Sequence, residues 1–154
     1  MKVSISIEQA NITQEGPLIE IMVAIPEGTF TLPDGTVKSL STITEPMDPI
    51  PVTALVDTGA SDCTIANHIA DLLGLVESGE SIGTNVMGTT ASYKRSPVLI
   101  IIPTQPDIFN IVGEVHRLPL TDTNFDFIIG RNLLAFMTLT YYGKENKFVL
   151  EIEK

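Results

Sequence analysis

Residues 55–66 read LVDTGASDCTIA, and they place a single aspartate, Asp57, at the end of an apolar run. A carboxylate in apolar surroundings is costly unless something pairs with it. Two explanations are open at this point. In the first, the Asp57 side chain forms a turn by hydrogen bonding to the nearby backbone, as Asp-x-Gly sequences often do. In the second, the chain keeps a carboxylate away from water because its function requires one there. Gly59 permits a sharp turn directly after the run in either case.

The composition indicates one globular domain. With 154 residues, of which 44% are apolar, the chain is long enough to bury a real core. The 19 acidic residues outnumber the 9 basic ones and give a net charge of -10. This balance argues against general affinity for nucleic acid or for an anionic membrane, because both need clustered Lys and Arg.

The cysteine and histidine content argues against a metal site or a disulfide. Cys63 is the single cysteine and is interpreted as a small buried hydrophobe. One cysteine and two scattered histidines do not form a tetrahedral site, so we expect no metal and no cofactor. The N-terminus lacks an apolar core of signal-peptide length, and the longest aliphatic run is far shorter than a membrane span. We therefore predict a soluble, cytoplasmic protein.

Strand patterns dominate the chain, since short runs rich in β-branched residues alternate with period two. A first helix is predicted over 65–75 and ends at Gly74, and a second covers 131–137. Residues 78–91 carry three glycines and are predicted to form a loop or hairpin. The sequence thus predicts a mainly β fold, a small closed barrel or sandwich with one or two short helices. The predicted strands cover residues 3–7, 18–25, 52–57, 92–103, 109–120, 124–130, 138–143 and 147–153.

A second motif, FIIGRNLL, occupies residues 127–134. Together with LVDTGAS it resembles the retropepsin-like aspartic peptidases, the single-domain family that includes the retroviral proteases. In that family a strand leads into an Asp-Thr-Gly-Ala loop and a glycine-bearing flap hairpin follows. A strand that ends in two aliphatic residues and Gly then precedes Arg-Asn or Arg-Asp on a short helix, and residues 52–140 follow this order. The resemblance implies a closed acid-protease barrel that works as a homodimer, with residues 1–154 forming one domain.

The resemblance also implies a role for each matching residue. Asp57 would be the catalytic aspartate, Thr58 would hold two active-site loops together, and Gly59 would offer its carbonyl to the substrate. Ala60 would complete this loop. The substrate-binding residues would be Asp62, the flap-tip residues Met87, Gly88 and Thr89, and Ile128 and Ile129, whose side chains would line or support the pockets. Structural support would come from Gly130 and Arg131.

The chemistry needs two carboxylates, whereas the chain has one Asp-Thr-Gly sequence. Peptide hydrolysis at mild pH needs an activated water and a polarised carbonyl, and two carboxylates that share a proton supply both. The near-copy Asp122-Thr123-Asn124 lacks the glycine. The simplest solution is a twofold homodimer in which each copy contributes Asp57. Its other partner would be an extended peptide or an unfolded polypeptide.

Several segments depart from the family pattern. Ser61 stands where the family commonly has an acidic residue that pairs with the helix arginine, so Arg131 needs another partner. Residues 26–50 are predicted to carry an inserted β-hairpin or loop with its turn at 33–36, and residues 1–16 form an N-terminal extension. The last strand, 147–153, either pairs with its symmetry mate across the dimer or is an ordinary internal strand.

Three functions remain open from the sequence. The first is an aspartic endopeptidase. The second is a catalytically silent retropepsin-fold module for dimerisation or protein binding, an alternative prompted by Ser61 and the 26–50 insertion. The third is a small β-barrel ligand binder in which Asp57 is structural.

Overall fold

The structure is a computed structural model that describes residues 2–31, 34–39, 48–84, 87–104, 108–121 and 123–153. These residues are mostly in strands, as the composition and periodicity predict. The strands are β1 (Lys2–Glu8), β2 (Leu18–Ala24), β3 (Thr29–Thr31), β4 (Val37–Ser39), β5 (Ile50–Val56), β6 (Thr64–Ala66), β7 (Gly79–Thr84), β8 (Thr90–Pro103), β9 (Ile108–Leu118), β10 (Phe127–Ile129), β11 (Met137–Tyr142) and β12 (Lys147–Glu153). The helices are α1 (Ile12–Glu15), α2 (Asn67–Leu73) and α3 (Arg131–Leu134), and a 3₁₀ turn covers Gly143–Glu145.

Six strands form a closed barrel. Strands β2, β5, β10, β6, β9 and β8 are hydrogen-bonded in this order, and β8 pairs again with β2. Two pairs in the ring are parallel, β5 with β10 and β6 with β9, and the others are antiparallel. Closure removes the free edges that an open sheet would expose. The predicted closed barrel is therefore confirmed.

The barrel core follows from the period-two alternation of its strands. On β2, Ile19, Ile21 and Val23 point inward and are at most 4% exposed. On β5, Val52 and Val56 are buried in the same way. Because these side chains fill one contiguous cluster, the backbone of each strand is held firmly up to the residue where the strand ends.

A second sheet joins the two ends of the chain. Its order is β1-β12-β11, so β12 lies in the middle. Strand β1 pairs with β12 from Lys2↔Glu153 to Glu8↔Lys147, and β11 covers the other side of β12. Both edges of β12 are thus occupied within one chain. Of the two alternatives left open for residues 147–153, the internal strand is the observed one.

The first predicted helix is shorter than its sequence pattern suggests. Helix α2 begins at Asn67, whereas Ile65 lies in β6, which is inserted between β9 and β10. All three residues of β6 are buried. Pairing on both sides of a fully buried strand therefore overrides the helical spacing of the apolar residues. The predicted end is confirmed, because Gly74 adopts a φ of 69° and its N–H caps the helix.

The 26–50 segment contains a short antiparallel hairpin between β3 and β4. At its turn, the Asp34 side chain accepts the Thr36 N–H at 2.8 Å, and Gly35 has a φ of 87°. Pro33 and residues 40–47 of the predicted insertion lie outside the described residues, as does Asp122. In the described part of the chain, no helix has the length and apolarity needed to cross a membrane.

Candidate active site

Asp57 lies where two parallel strands end. Strand β5 ends at Val56, which is in register with Ile129 at the end of β10. The Asp57 N–H donates to the Ile129 carbonyl at 3.0 Å and continues this pairing by one residue. The two motifs recognised in the sequence are thus neighbours in space, and the core fixes the position of the Asp57 backbone.

The loop after β5 is a tight turn around the carboxylate. Oδ1 of Asp57 accepts the Gly59 N–H at 2.8 Å, and the Ala60 N–H donates to the Asp57 carbonyl at 3.3 Å. No hydrogen bond to Oδ2 is formed within the described residues. The explanation of Asp57 as a turn residue therefore holds for Oδ1, and the turn leaves Oδ2 without a hydrogen bond from these residues.

In a single chain, the Asp57 carboxylate is not buried away from water. Asp57 is partly exposed, and both Thr58 and Gly59 are exposed. The loop stands on the surface because the barrel covers only its start, where β5 ends. A second molecule would be needed to exclude water from this carboxylate.

Helix α3 holds the loop in place. The N–H of Arg131 donates to the Ala60 carbonyl at 2.8 Å, and the N–H of Asn132 donates to the Ser61 carbonyl at 3.1 Å. The Arg131 guanidinium also donates through Nη1 to the Thr58 carbonyl at 3.0 Å. This contact identifies the partner of Arg131, which the serine at position 61 had left unknown: the arginine bonds a backbone carbonyl instead of an acidic side chain.

Position 130 requires glycine because there is no room for a side chain, and not because of its backbone angles. Its φ of -91° is accessible to any residue. A Cβ built on Gly130, however, would lie 2.5 Å from the carbonyl carbon of Asp62 and closer still to its oxygen. The close approach of the two backbones lets α3 begin directly against the loop.

The role of Asn132 was not predicted from the sequence. Its Oδ1 accepts the N–H groups of Cys63, at 3.1 Å, and of Leu133, at 2.9 Å. The Asn132 side chain thus joins the end of the loop to the start of α3. The signal was present, because asparagine follows arginine in the FIIGRNLL motif, but only Gly130 and Arg131 were assigned supporting roles.

Cys63 lies behind the loop and is 1% exposed. Burial raises the pKa of its thiol to about 11, although the N–H of Gly130 acts in the opposite direction. A thiol that keeps its proton is a poor nucleophile. In the described residues, no group of three or more His, Cys, Asp and Glu side chains is placed to hold a metal ion.

The flap segment is a hairpin. Strands β7 and β8 pair from Gly79↔Arg95 to Thr84↔Thr90. Met87, Gly88 and Thr89 belong to the turn between them, and residues 85 and 86 lie outside the described residues. The hairpin carries apolar side chains in solvent, with Ile82 78% and Met87 84% exposed.

The remaining predicted substrate residues differ in exposure. Ile129 is fully buried in the barrel core. Of the two roles expected for Ile129, lining the substrate pockets or supporting them, its burial favours the supporting role. Ile128 is partly exposed. Asp62 is also partly exposed and lines a cleft of about 360 Å³ beside the loop.

Comparison with known proteins identifies the family. The sequence model of the family described as aspartyl protease matches residues 46–133, which include LVDTGAS and all of FIIGRNLL except its last leucine. No curated protein sequence matches the chain significantly. A retropepsin-like aspartic protease from Rickettsia conorii has a similar fold, with a TM-score of 0.54 at 15% identity, over 99% of this chain and 93% of that one.

The EIAV protease complexed with the inhibitor HBY-793 aligns with a TM-score of 0.43 at 17% identity, over 82% of this chain and 91% of that one. The family match covers more than half of the chain, and the barrel has the fold of the Rickettsia protein. The resemblance inferred from LVDTGAS and FIIGRNLL is therefore confirmed, and this chain belongs to the aspartyl protease family, with a retropepsin-like fold.

Proposed function

We propose that two copies of this chain form a C2 homodimer that hydrolyses peptide bonds, with Asp57 of each copy as the catalytic carboxylates. One observation carries the proposal. Asp57 sits at the end of two parallel strands, in a loop bonded to α3, with Oδ1 held by the Gly59 N–H. Its second oxygen is left to act on a water molecule.

Two such carboxylates perform the reaction together. The ionised member of the pair takes a proton from a water held between them, while the protonated member donates a hydrogen bond to the scissile carbonyl. Two ionised carboxylates about 4 Å apart repel by about 4 kcal/mol at an effective dielectric of 20. One shared proton relieves that repulsion, so the pair holds both forms at once over a range of pH.

The exposure of the loop supports the need for a second copy. Thr58 and Gly59 are exposed, and Asp57 is partly so. Docking of the same loop from a second chain would cover them and exclude bulk water, which strengthens the electrostatic interactions at the pair. In this arrangement, the Thr58 hydroxyl would bond the partner's loop.

The substrate would be an extended peptide or an unfolded polypeptide held between the flap hairpin and the Asp57 loop. Extended peptides bind through main-chain hydrogen bonds and through pockets for alternate side chains. The exposed Ile82 and Met87 on the hairpin provide apolar surface for the substrate to cover. Gly88 and Thr89 complete the turn that would close over it.

The test compares the wild type with Asp57→Asn, which keeps an oxygen for the Gly59 N–H. Both proteins are incubated with a diverse peptide mixture from pH 3 to 8 at several protein concentrations, and the products are identified by mass spectrometry. We expect cleavage by the wild type only. Below the dimer dissociation constant, the rate should fall with the square of the chain concentration.

Circular dichroism and size-exclusion chromatography serve as the controls, because they show whether Asp57→Asn still folds and associates. Cleavage that survives Asp57→Asn, or a rate per chain that does not change on dilution of a dissociated protein, would refute the proposal. A folded dimer that binds peptides without cleaving them would favour the catalytically silent binding module.

A further inference from the structure

Arg117 is a nearly buried cation close to the base of the flap hairpin. It lies near the end of β9, and its side chain is 11% exposed. A buried guanidinium is costly unless carboxylates compensate its charge. Nη2 of Arg117 donates to Oδ1 of Asp71 on α2, and Nη1 lies 4.0 Å from Oε1 of Glu77. The position of Arg117 is therefore held by two acidic side chains from different segments of the chain.

A second cation extends these contacts to the hairpin. Nζ of Lys94, on β8, lies 2.8 Å from Oε1 of Glu77, the oxygen that also faces Arg117. Glu77 precedes β7, so one carboxylate oxygen bridges a lysine of the hairpin and an arginine of the barrel. We call Asp71, Glu77, Lys94 and Arg117 the ion cluster. It holds two positive and two negative charges, and it joins α2, the hairpin and β9.

The ion cluster lies where the hairpin leaves the barrel. Strand β8 pairs with β9 along the barrel, and the last pair at this end is Arg95↔His116. Beyond that pair, β7 is the only described strand that pairs with β8. Lys94 and Arg117 are thus the first residues on either strand after the last pair. Because no backbone ladder joins the two strands from here on, side-chain contacts set the angle between the hairpin and the barrel.

Other packing contributes little at the same place. Asp71, Lys94 and Arg117 line a cleft of about 470 Å³ between α2, the hairpin and the end of β9. Surfaces that face each other across such a cleft make no van der Waals contact. The rings of Tyr93 and His116 stack between hairpin and barrel, but their centroids are 6.3 Å apart, near the upper limit for aromatic pairs. Among the described residues, the ion cluster is therefore the stronger link at the hairpin base.

We infer that Arg117 is a positioning residue for the peptidase, because the ion cluster sets the angle of the flap hairpin over the Asp57 loop. The inference rests on the proposed function for its substrate. The planar fork of an arginine can bond two carboxylates at fixed angles, and the low exposure of Arg117 protects these contacts from screening by salt. Without Arg117, the hairpin would sample more orientations. Only the fraction that can close on a peptide binds it, so the apparent affinity falls with that fraction.

The test compares kcat and KM of the wild type with those of Arg117→Gln, Arg117→Lys and Glu77→Gln, on a peptide substrate found by screening a peptide mixture. The assays use chain concentrations at which the rate per chain is constant, so that every variant is fully associated. Glu153→Gln is the matched control for Glu77→Gln. Oε1 of Glu153 lies 3.5 Å from Nζ of Lys2, so this control also loses an ion pair and a negative charge, but in the second sheet.

We expect Arg117→Gln and Glu77→Gln to raise KM by about three- to tenfold and to leave kcat within about twofold of the wild type. Arg117→Lys should recover part of the loss, because lysine keeps the charge without the fork. Should Arg117→Gln fail to fold, the half-exposed Glu77 still decides the question. A merely structural role would lower the amount of folded enzyme, so kcat would fall at an unchanged KM. That result, or an equal rise of KM in Glu153→Gln, would overturn the inference.

Hydrogen exchange tests the ion cluster without any reaction. Exchange of the amides of residues 79–84 and 90–94 is followed by mass spectrometry, with β12 as the internal reference. We expect these segments to exchange at least about threefold faster in Glu77→Gln than in the wild type and Glu153→Gln, because a hairpin with a looser base opens more often. Faster exchange in a protein that cleaves no peptide would refute the proposed function and leave the ion cluster as the anchor of the hairpin. Unchanged exchange would overturn the inference, whether or not the protein cleaves.

Discussion

The substitution Gly130→Ala tests how the start of α3 fixes the Asp57 loop. Gly130 has a φ of -91°, so alanine is not strained by its own backbone angles. The added methyl group would lie 2.5 Å from the carbonyl carbon and 2.9 Å from the nitrogen of Asp62. These are backbone atoms that cannot rotate away, and either the loop or α3 must move.

The magnitude follows from that geometry. Overpacking in a well-packed site typically costs about 1–3 kcal/mol, and the upper end applies because the clash is with backbone atoms. A loss of about 3 kcal/mol lowers the melting temperature of a protein of this size by about 6–12 °C. The shift would also loosen the bonds from Arg131 to the loop, so we expect peptidase activity to fall further than the folded fraction does.

Gly113→Ala is the matched control, since a Cβ at Gly113 meets nothing within 4 Å and its φ is not in the left-handed region. It should be neutral or stabilise by up to about 1 kcal/mol, because alanine restricts the unfolded chain. Urea denaturation gives the free energy of unfolding for both variants and the wild type. Equal stabilities of Gly130→Ala and Gly113→Ala would refute the close approach of α3 to the loop.

Two further predictions concern the surroundings of the loop. Arg131→Ala removes the bond to the Thr58 carbonyl and should lower the free energy of unfolding by about 0.5–1.5 kcal/mol in urea titrations, with a clear drop in kcat/KM. An unchanged kcat/KM would contradict the role of Arg131 in holding the loop. Burial raises the pKa of Cys63 from its ordinary 9.0 to about 11, so between pH 9 and 11 the unfolded chain loses a proton that the native one keeps. The free energy of unfolding should therefore fall with rising pH by up to about 3 kcal/mol more in the wild type than in Cys63→Ala, and parallel pH profiles would refute this.

Much of the site could be predicted because each of its two motifs is a short run of residue types with strict steric or hydrogen-bonding requirements. Gly59 and Gly130 each mark a place where two groups come close: the Gly59 N–H bonds the Asp57 carboxylate, and Gly130 packs on the Asp62 backbone. Few residue types are tolerated at such positions, so the motif that contains them can be recognised in the sequence. The strands were predictable for a similar reason, because period-two alternation is set by which side of a strand is buried. That alternation left a closed barrel and a sandwich both open, and the choice of the barrel came from the family resemblance.

The elements that sequence analysis missed depend on distant partners. Residues 64–66 are a strand because β9 and β10 flank them, and neither contact is visible in the local pattern. Helix α1 is only four residues long, and Ile12 within it is fully buried. A helix of this length is not stable by itself, so it forms because Ile12 packs against the core and not because of local helix propensity.

The position of β12 limits how a second copy can dock. Strand 147–153 is hydrogen-bonded on both sides, by β1 and by β11, so it has no edge to offer a partner without the loss of one of these pairings. Among the described strands of this sheet, the outer ones are β1 and β11. A homodimer that uses this sheet must therefore rest on its outer strands or on its faces. Thr58 and Gly59 are exposed, and the Thr58 carbonyl is bonded to Arg131 of α3. The loop is therefore held within one chain, so formation of the proposed homodimer would cost little further ordering at these residues.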